Sequence, residues 1–274
     1  MSMDMLTSAG ASFLRHGSYS GADSPPSTPR SKVPIIIGVG GASGSGKTSI
    51  AGRLNDALLE DETKLNIVSI SMDSYYKGLP AGTDAANYNW DDPAALDMSL
   101  LQEHLVALHN GLDVVVPEYD FSRHARADAK SFKTIHSAET DVVLLDGIFV
   151  LAVAEVRARC DLTIFTIEDL DVCLARRLKR DISERGRSVE SVLNQYLTFV
   201  KPCFTNIIQP SMMHADILVP RARENLMAIE MLAKEVQRRV SQEAARALAG
   251  IVHTPRQLTL GMSKLGSALA EAPL

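Results

Sequence analysis

Between residues 33 and 249 the chain alternates short, almost uninterrupted apolar runs with longer segments in which apolar residues recur every three to four positions. Continuous short runs suit strands buried on both faces, and the longer spacing suits helices packed against them. Residues 34–39, 67–72, 142–145, 162–167 and 215–219 are predicted strands. After the first of these, Ile50, Ala51, Leu54, Ala57 and Leu58 fall on one face of a helix. Further helices are predicted at 98–109, 170–182, 189–200 with a break at Pro202, and 224–247. In the 170–182 helix, Leu174, Leu178 and Ile182 form the row expected to face the core. Such alternation predicts an α/β fold with a parallel sheet flanked by helices. Residues 114–119 and 131–135 read instead as a β-hairpin inserted on that sheet.

The ends of the chain behave differently. Residues 1–32, with the run Ser24-Pro25-Pro26-Ser27-Thr28-Pro29, and residues 250–274 show neither period, so they are expected to be a disordered tail and an irregular tail around one domain at 33–249. Lys plus Arg number 28 against 33 Asp plus Glu, a net charge of −5, which gives no global field for nucleic acid. The longest apolar stretch, 142–154, has 13 residues and contains Asp146, too short for a membrane span. Three cysteines without Cys-x-x-Cys spacing carry no zinc or disulfide pattern and suit a reducing, cytoplasmic setting.

The charge average hides local chemistry. Gly41-Ala42-Ser43-Gly44-Ser45-Gly46-Lys47-Thr48, followed by Ser49, satisfies G-x-x-x-x-G-K-[ST] between a predicted strand and a predicted helix. Glycines let backbone N–H groups converge on phosphate oxygens at a helix N-terminus. In that setting Lys47 would reach the β- and γ-phosphates and the Thr48 hydroxyl would ligate Mg²⁺. No Asn-Lys-x-Asp guanine-reading element occurs, so ATP is the expected nucleotide.

Asp73 follows the 67–72 strand and is a candidate general base for an acceptor hydroxyl, or a turn residue. Asp146 ends a run so apolar that a cation beside it is the expected compensation. Residues 176–187 hold six cations and two anions, a local +4 that suits a basic lid over transferring phosphates. Trp90, Tyr119 and Phe121 sit in polar surroundings, where they would stack on a planar base with His124 at its edge, or form a small satellite core.

Taken together, the phosphate loop, Asp73-Ser-Tyr-Tyr-Lys77, Tyr88-Asn-Trp-Asp-Asp-Pro93, Pro117-Glu-Tyr-Asp-Phe121 with His124 and Arg126, Asp146-Gly-Ile148, Arg180-Asp-Ile-Ser-Glu-Arg-Gly-Arg187 and Gln195-Tyr-Leu-Thr-Phe-Val-Lys-Pro202 resemble the uridine kinase (uridine–cytidine kinase) family. The resemblance implies a P-loop nucleoside kinase that transfers the ATP γ-phosphate to the 5′-hydroxyl of uridine or cytidine. It implies Asp73 as base, Thr48 and Asp146 at Mg²⁺, and Arg180 and Arg185 on phosphates. Asp91, Arg177 and Gln195 would grip the ribose, and Tyr119, His124 and Arg187 would surround the pyrimidine, with Tyr76, Trp90 and Phe121 nearby. A homotetramer is also implied; the absence of a membrane or nucleic-acid partner is expected from the apolar lengths and the charge above. Where the family usually has Glu-Gly-Ile this chain has Asp146-Gly147-Ile148, which leaves open a direct or a water-mediated metal contact. Related kinases acting on ribulose phosphate or pantothenate, and an NTP-binding regulatory protein of low activity, are the alternatives.

Overall fold

The computed structural model describes residues 33–59, 65–85 and 87–249; the two tails expected from the sequence lie outside the described residues. Among the described residues five parallel strands form the central sheet, in the order Ile67–Ser71 (β2), Val142–Asp146 (β7), Ile35–Gly41 (β1), Leu162–Ile167 (β8) and Ile217–Pro220 (β9). In chain order the elements are β1 (Ile35–Gly41), α1 (Lys47–Leu59), β2 (Ile67–Ser71), α2 (Met98–His109), β3 (Val114–Val116), β4 (Tyr119–Asp120), β5 (Ala125–Arg126), β6 (Lys133–Ile135), β7 (Val142–Asp146), α3 (Ala154–Arg157), β8 (Leu162–Ile167) and α4 (Leu170–Ser183). There follow α5 (Val189–Gln195), α6 (Lys201–Cys203), α7 (Gln209–Ser211), β9 (Ile217–Pro220) and α8 (Leu226–Leu248).

Alternate residues of β1 serve opposite faces, as a period of two requires. Ile35, Ile37 and Val39 join a core with Ile50 and Leu54 of α1 and Leu232 and Val236 of α8. Ile36 joins the other core, with Leu101 and Leu105 of α2, Phe149 and Ile208. Helices on both faces explain why the central strands are apolar without alternation.

Two expectations need correction. The inserted hairpin is two nested pairs, β3 with β6 and β4 with β5, rather than one pair. Pro117, which has no N–H for a ladder, separates β3 from β4. The helix beginning at Val189 does not break at Pro202. It runs on through π-helical turns at Tyr196–Val200 and Phe204–Ile208, with Pro202 in α6 and Pro210 in α7 directly after them. The wider turn relieves the clash between a proline ring and the carbonyl four residues back and carries the chain past the missing N–H.

Register aligns the ends of the strands. Asp146 of β7 lies level with Val39 of β1 on one side and Ser71 of β2 on the other. The β1–α1 loop, the turn after β2 that holds Asp73 and the last residue of β7 therefore emerge together at the carboxyl edge of the sheet, where open α/β sheets bind ligands. Within the loop, Gly44 has φ +86°, and a Cβ there would stand 2.5 Å from the Cys173 carbonyl oxygen of α4. Backbone strain and a backbone collision combine at one position. Gly44→Ala is expected to cost about 1–3 kcal/mol of unfolding free energy, measured by urea denaturation; an unchanged midpoint would show that loop and helix part freely.

Candidate active site

The β1–α1 loop is held closed by its own polar groups. The Ser45 hydroxyl donates to the Ala42 carbonyl at 2.8 Å and lies 2.5 Å from the Thr166 hydroxyl of β8. Lys47, buried, donates from Nζ to the same Ala42 carbonyl at 2.8 Å. Burial pulls its ammonium below the ordinary lysine range, and the negative charges of Asp146 and Asp73 oppose that pull. Burial pushes the Asp146 carboxyl up to about 6, with the Lys47 charge working the other way. The Thr48 hydroxyl stands 3.5 Å from Asp146 Oδ1. A hydroxyl and a buried carboxylate form an oxygen-only donor set, which fits a hard divalent cation whose remaining ligands are phosphates and water. Among the described residues no group of three or more His, Cys, Asp or Glu side chains could hold a metal without such help.

Beside this loop opens a cavity of about 480 Å³. Its floor carries Asp73, in the 3₁₀ turn Met72–Tyr75 that follows β2. One wall is aromatic. Tyr76 lies 5.6 Å from Trp90 and 5.3 Å from Tyr119, and Trp90 stacks on His124 at 5.2 Å with 22° between the rings. Phe121 meets Tyr119 edge-on and takes the Arg185 guanidinium over its face, 4.4 Å from the ring centre. The hairpin holding this wall is anchored by Arg126, which bonds Asp97 at 2.9 Å and the Tyr76 carbonyl at 3.3 Å. His124 sits at its tip with φ +51°, an uncommon conformation for a side chain that lines a cavity. Among the described residues the Tyr119 hydroxyl is buried without a hydrogen-bond partner.

The opposite wall is polar. Arg177 donates to the Ser43 hydroxyl of the loop at 3.2 Å and to Gln195 Oε1 at 3.2 Å. Arg187 reaches the same Gln195 oxygen at 2.6 Å and the Ser191 hydroxyl at 3.0 Å. Asp91, buried, has its carboxyl raised by that burial while the Arg177 charge draws it back. Burial also lowers the guanidinium affinity for protons at Arg185 and Arg187.

Every acceptor-site residue expected from the sequence lines this one cavity: Tyr76, Trp90, Asp91, Tyr119, Phe121, His124, Arg177, Arg187 and Gln195, together with Asp73, Arg180, Arg185 and Ser43. Lys47, Thr48 and Asp146 stand next to it rather than in its lining. Trp90 is held by its indole N–H to the Ala85 carbonyl at 3.1 Å and packs against Tyr88, so it supports the wall as much as it lines it.

The sequence reading of α4 was wrong about its buried face. Cys173, Arg177 and Asp181 are the buried row, and Ile182, expected in the core, is exposed. The reason is Asp181, which is wholly buried and gathers arginines, so the inward face of this helix is polar. Residues missed by the sequence reading include Asp181, Ser191 and Ser122; only the four-residue spacing from Arg177 to Asp181 would have pointed to the first.

The model of the phosphoribulokinase/uridine kinase family matches residues 36–228. A uridine kinase of Lactobacillus johnsonii is 44% identical over 76% of this chain and 96% of its own length. Uridine-cytidine kinase A of Dictyostelium discoideum is 42% identical over 77% of this chain, and the match spans 41% of that longer protein. Among solved structures, phosphoribulokinase from Rhodobacter spheroides superposes with a TM-score of 0.54 at 16% identity, over 70% of this chain and 71% of that one, a likeness of fold. With the loop, the sheet order and the cavity already in place, the match over most of the folded residues is decisive: the chain belongs to the phosphoribulokinase/uridine kinase family.

Proposed function

We propose that this protein is a pyrimidine ribonucleoside kinase, which transfers the γ-phosphate of ATP to the 5′-hydroxyl of uridine or cytidine and releases ADP and the nucleoside monophosphate. The observation that carries the reading is the meeting, in one cavity beside the phosphate loop, of a carboxylate, an aromatic wall and a polar wall. The relatives that are 42–44% identical are named for this chemistry.

Asp73 takes the proton from the 5′-hydroxyl as its oxygen attacks, the role of a general base. Lys47 exchanges the Ala42 carbonyl for phosphate oxygens, with the loop glycines Gly41, Gly44 and Gly46 giving the backbone room to approach. Arg180 and Arg185 stabilise charge that develops on the transferring group. Thr48 and Asp146 would hold Mg²⁺, which when bound neutralises phosphate charge. Asp91, Arg177 and Gln195 bind the ribose hydroxyls, and Tyr119, His124 and Arg187 read the pyrimidine against Tyr76, Trp90 and Phe121. A cytoplasmic homotetramer accompanies this reading and rests on the family resemblance. Among the described residues no helix is long and apolar enough to cross a membrane.

The decisive assay supplies ATP and Mg²⁺ with uridine, cytidine, deoxycytidine, thymidine and adenosine in turn. Turnover is expected with uridine and cytidine, and its absence with both would overturn the assignment. Asp73→Asn is expected to lower kcat by about 10²-fold or more while ATP binding persists; an unaltered kcat would remove Asp73 from the base role. Gln195→Ala is expected to raise the KM for uridine well before that for ATP, and the opposite order would contradict the ribose assignment.

A further inference from the structure

Asp181 has no part in the roles assigned above, does not line the cavity and is wholly buried. It lies near the end of α4, where the helix carbonyls already make the surroundings negative, so a carboxylate there needs strong compensation. Four guanidinium groups supply it, and they divide between the two oxygens. Oδ1 takes Arg180, at 2.9 Å from Nε and 2.8 Å from Nη2, and Arg185 at 3.4 Å. Oδ2 takes Arg187 at 3.5 Å and Arg177 at 3.6 Å. The Asp181 carbonyl also accepts the Arg187 backbone N–H at 3.0 Å, and Gly186, with φ +63°, turns the chain back to make that bond.

The division matches the two halves of the site. Arg180 and Arg185 are the pair assigned to phosphates, whereas Arg177 and Arg187 share Gln195 on the nucleoside side. We propose that Asp181 is the positioning residue of the lid, fixing the phosphate-facing pair with one oxygen and the nucleoside-facing pair with the other, so that both halves are held in one register. The inference rests on the arginine assignments of the proposed function. Without the carboxylate, four like charges would share one wall, and the guanidinium groups would spread apart before substrate arrived. Asp181 acts through the arginines and not on substrate, since its carboxylate is closed off behind them.

A double-mutant cycle on kcat, with the full chain, ATP–Mg²⁺ and uridine, separates this role from that of a simple structural brace. Asp181→Asn is expected to lower kcat about tenfold or more, and the same substitution in an Arg180→Ala background to change it by less than about threefold. Losses that multiply in the double variant would show that the carboxylate does not act through Arg180, and would overturn the proposal. So would an unaltered kcat in Asp181→Asn beside a large loss in Arg180→Ala, an outcome that leaves the arginine assignment intact. No loss in Arg180→Ala itself would overturn that assignment and the proposal with it. Should Asp181→Asn not fold, Asp181→Glu keeps the charge and displaces it by one methylene. A kcat lowered about fivefold or more is then expected, and an unaltered kcat would refute positioning.

Discussion

Cationic side chains crowd one small volume at the carboxyl edge of the sheet, and their mutual repulsion is the constraint the rest of the site answers. Lys47 is buried there, and Arg177, Arg180, Arg185 and Arg187 line the adjoining cavity. Two like charges about 6 Å apart repel by about 3 kcal/mol at an effective dielectric of about 20. Such a set holds together only if carboxylates are interleaved, and they are: Asp181 behind the lid, Asp91 beside Arg177, and Asp73 and Asp146 around Lys47. The net −5 of the whole chain gives little sense of this, because the charges that matter are sorted locally rather than averaged.

The sheet makes the sorting possible. Parallel pairing with Asp146 level between Val39 and Ser71 brings three loops to one edge, and each loop delivers one kind of group: glycines and Lys47 from β1, Asp73 from β2, Asp146 from β7. The lid and the hairpin then close on the space above from opposite sides, and Arg185 over the Phe121 ring joins them. Both partners are exposed, so the contact is of the surface kind, worth about 0.5–1 kcal/mol.

Much of this was legible in the sequence, and the failures have definite causes. Strand 162–167 and helix 98–109 coincide with β8 and α2, since each is an apolar pattern set between clear boundaries. The residues expected around the acceptor gather in one cavity, several of them also packing in the core, and it was the family resemblance that gave them roles. The buried face of α4 was not legible. Hydrophobic periodicity assumes that the inward row is apolar, whereas here Arg177 and Asp181 are inward and Ile182 is outward. Nor was the path through Pro202 legible, because a π-helical turn has no residue preference strong enough to offset the rule that proline ends a helix.

The same polar burial bears on selectivity. Among the described residues the Tyr119 hydroxyl, on a side chain that lines the cavity, is buried without a hydrogen-bond partner. A buried polar group left without a partner costs about 1–3 kcal/mol. A ligand of similar shape that lacks the matching atom fills the space but leaves the group unpaired, and it forfeits that sum for each mismatch. Apolar fit discriminates a missing methylene by a comparable 1–3 kcal/mol at best. A polar group that only a matching atom can pair therefore adds to the discrimination by shape that the rigid stack of Trp90 on His124 supplies.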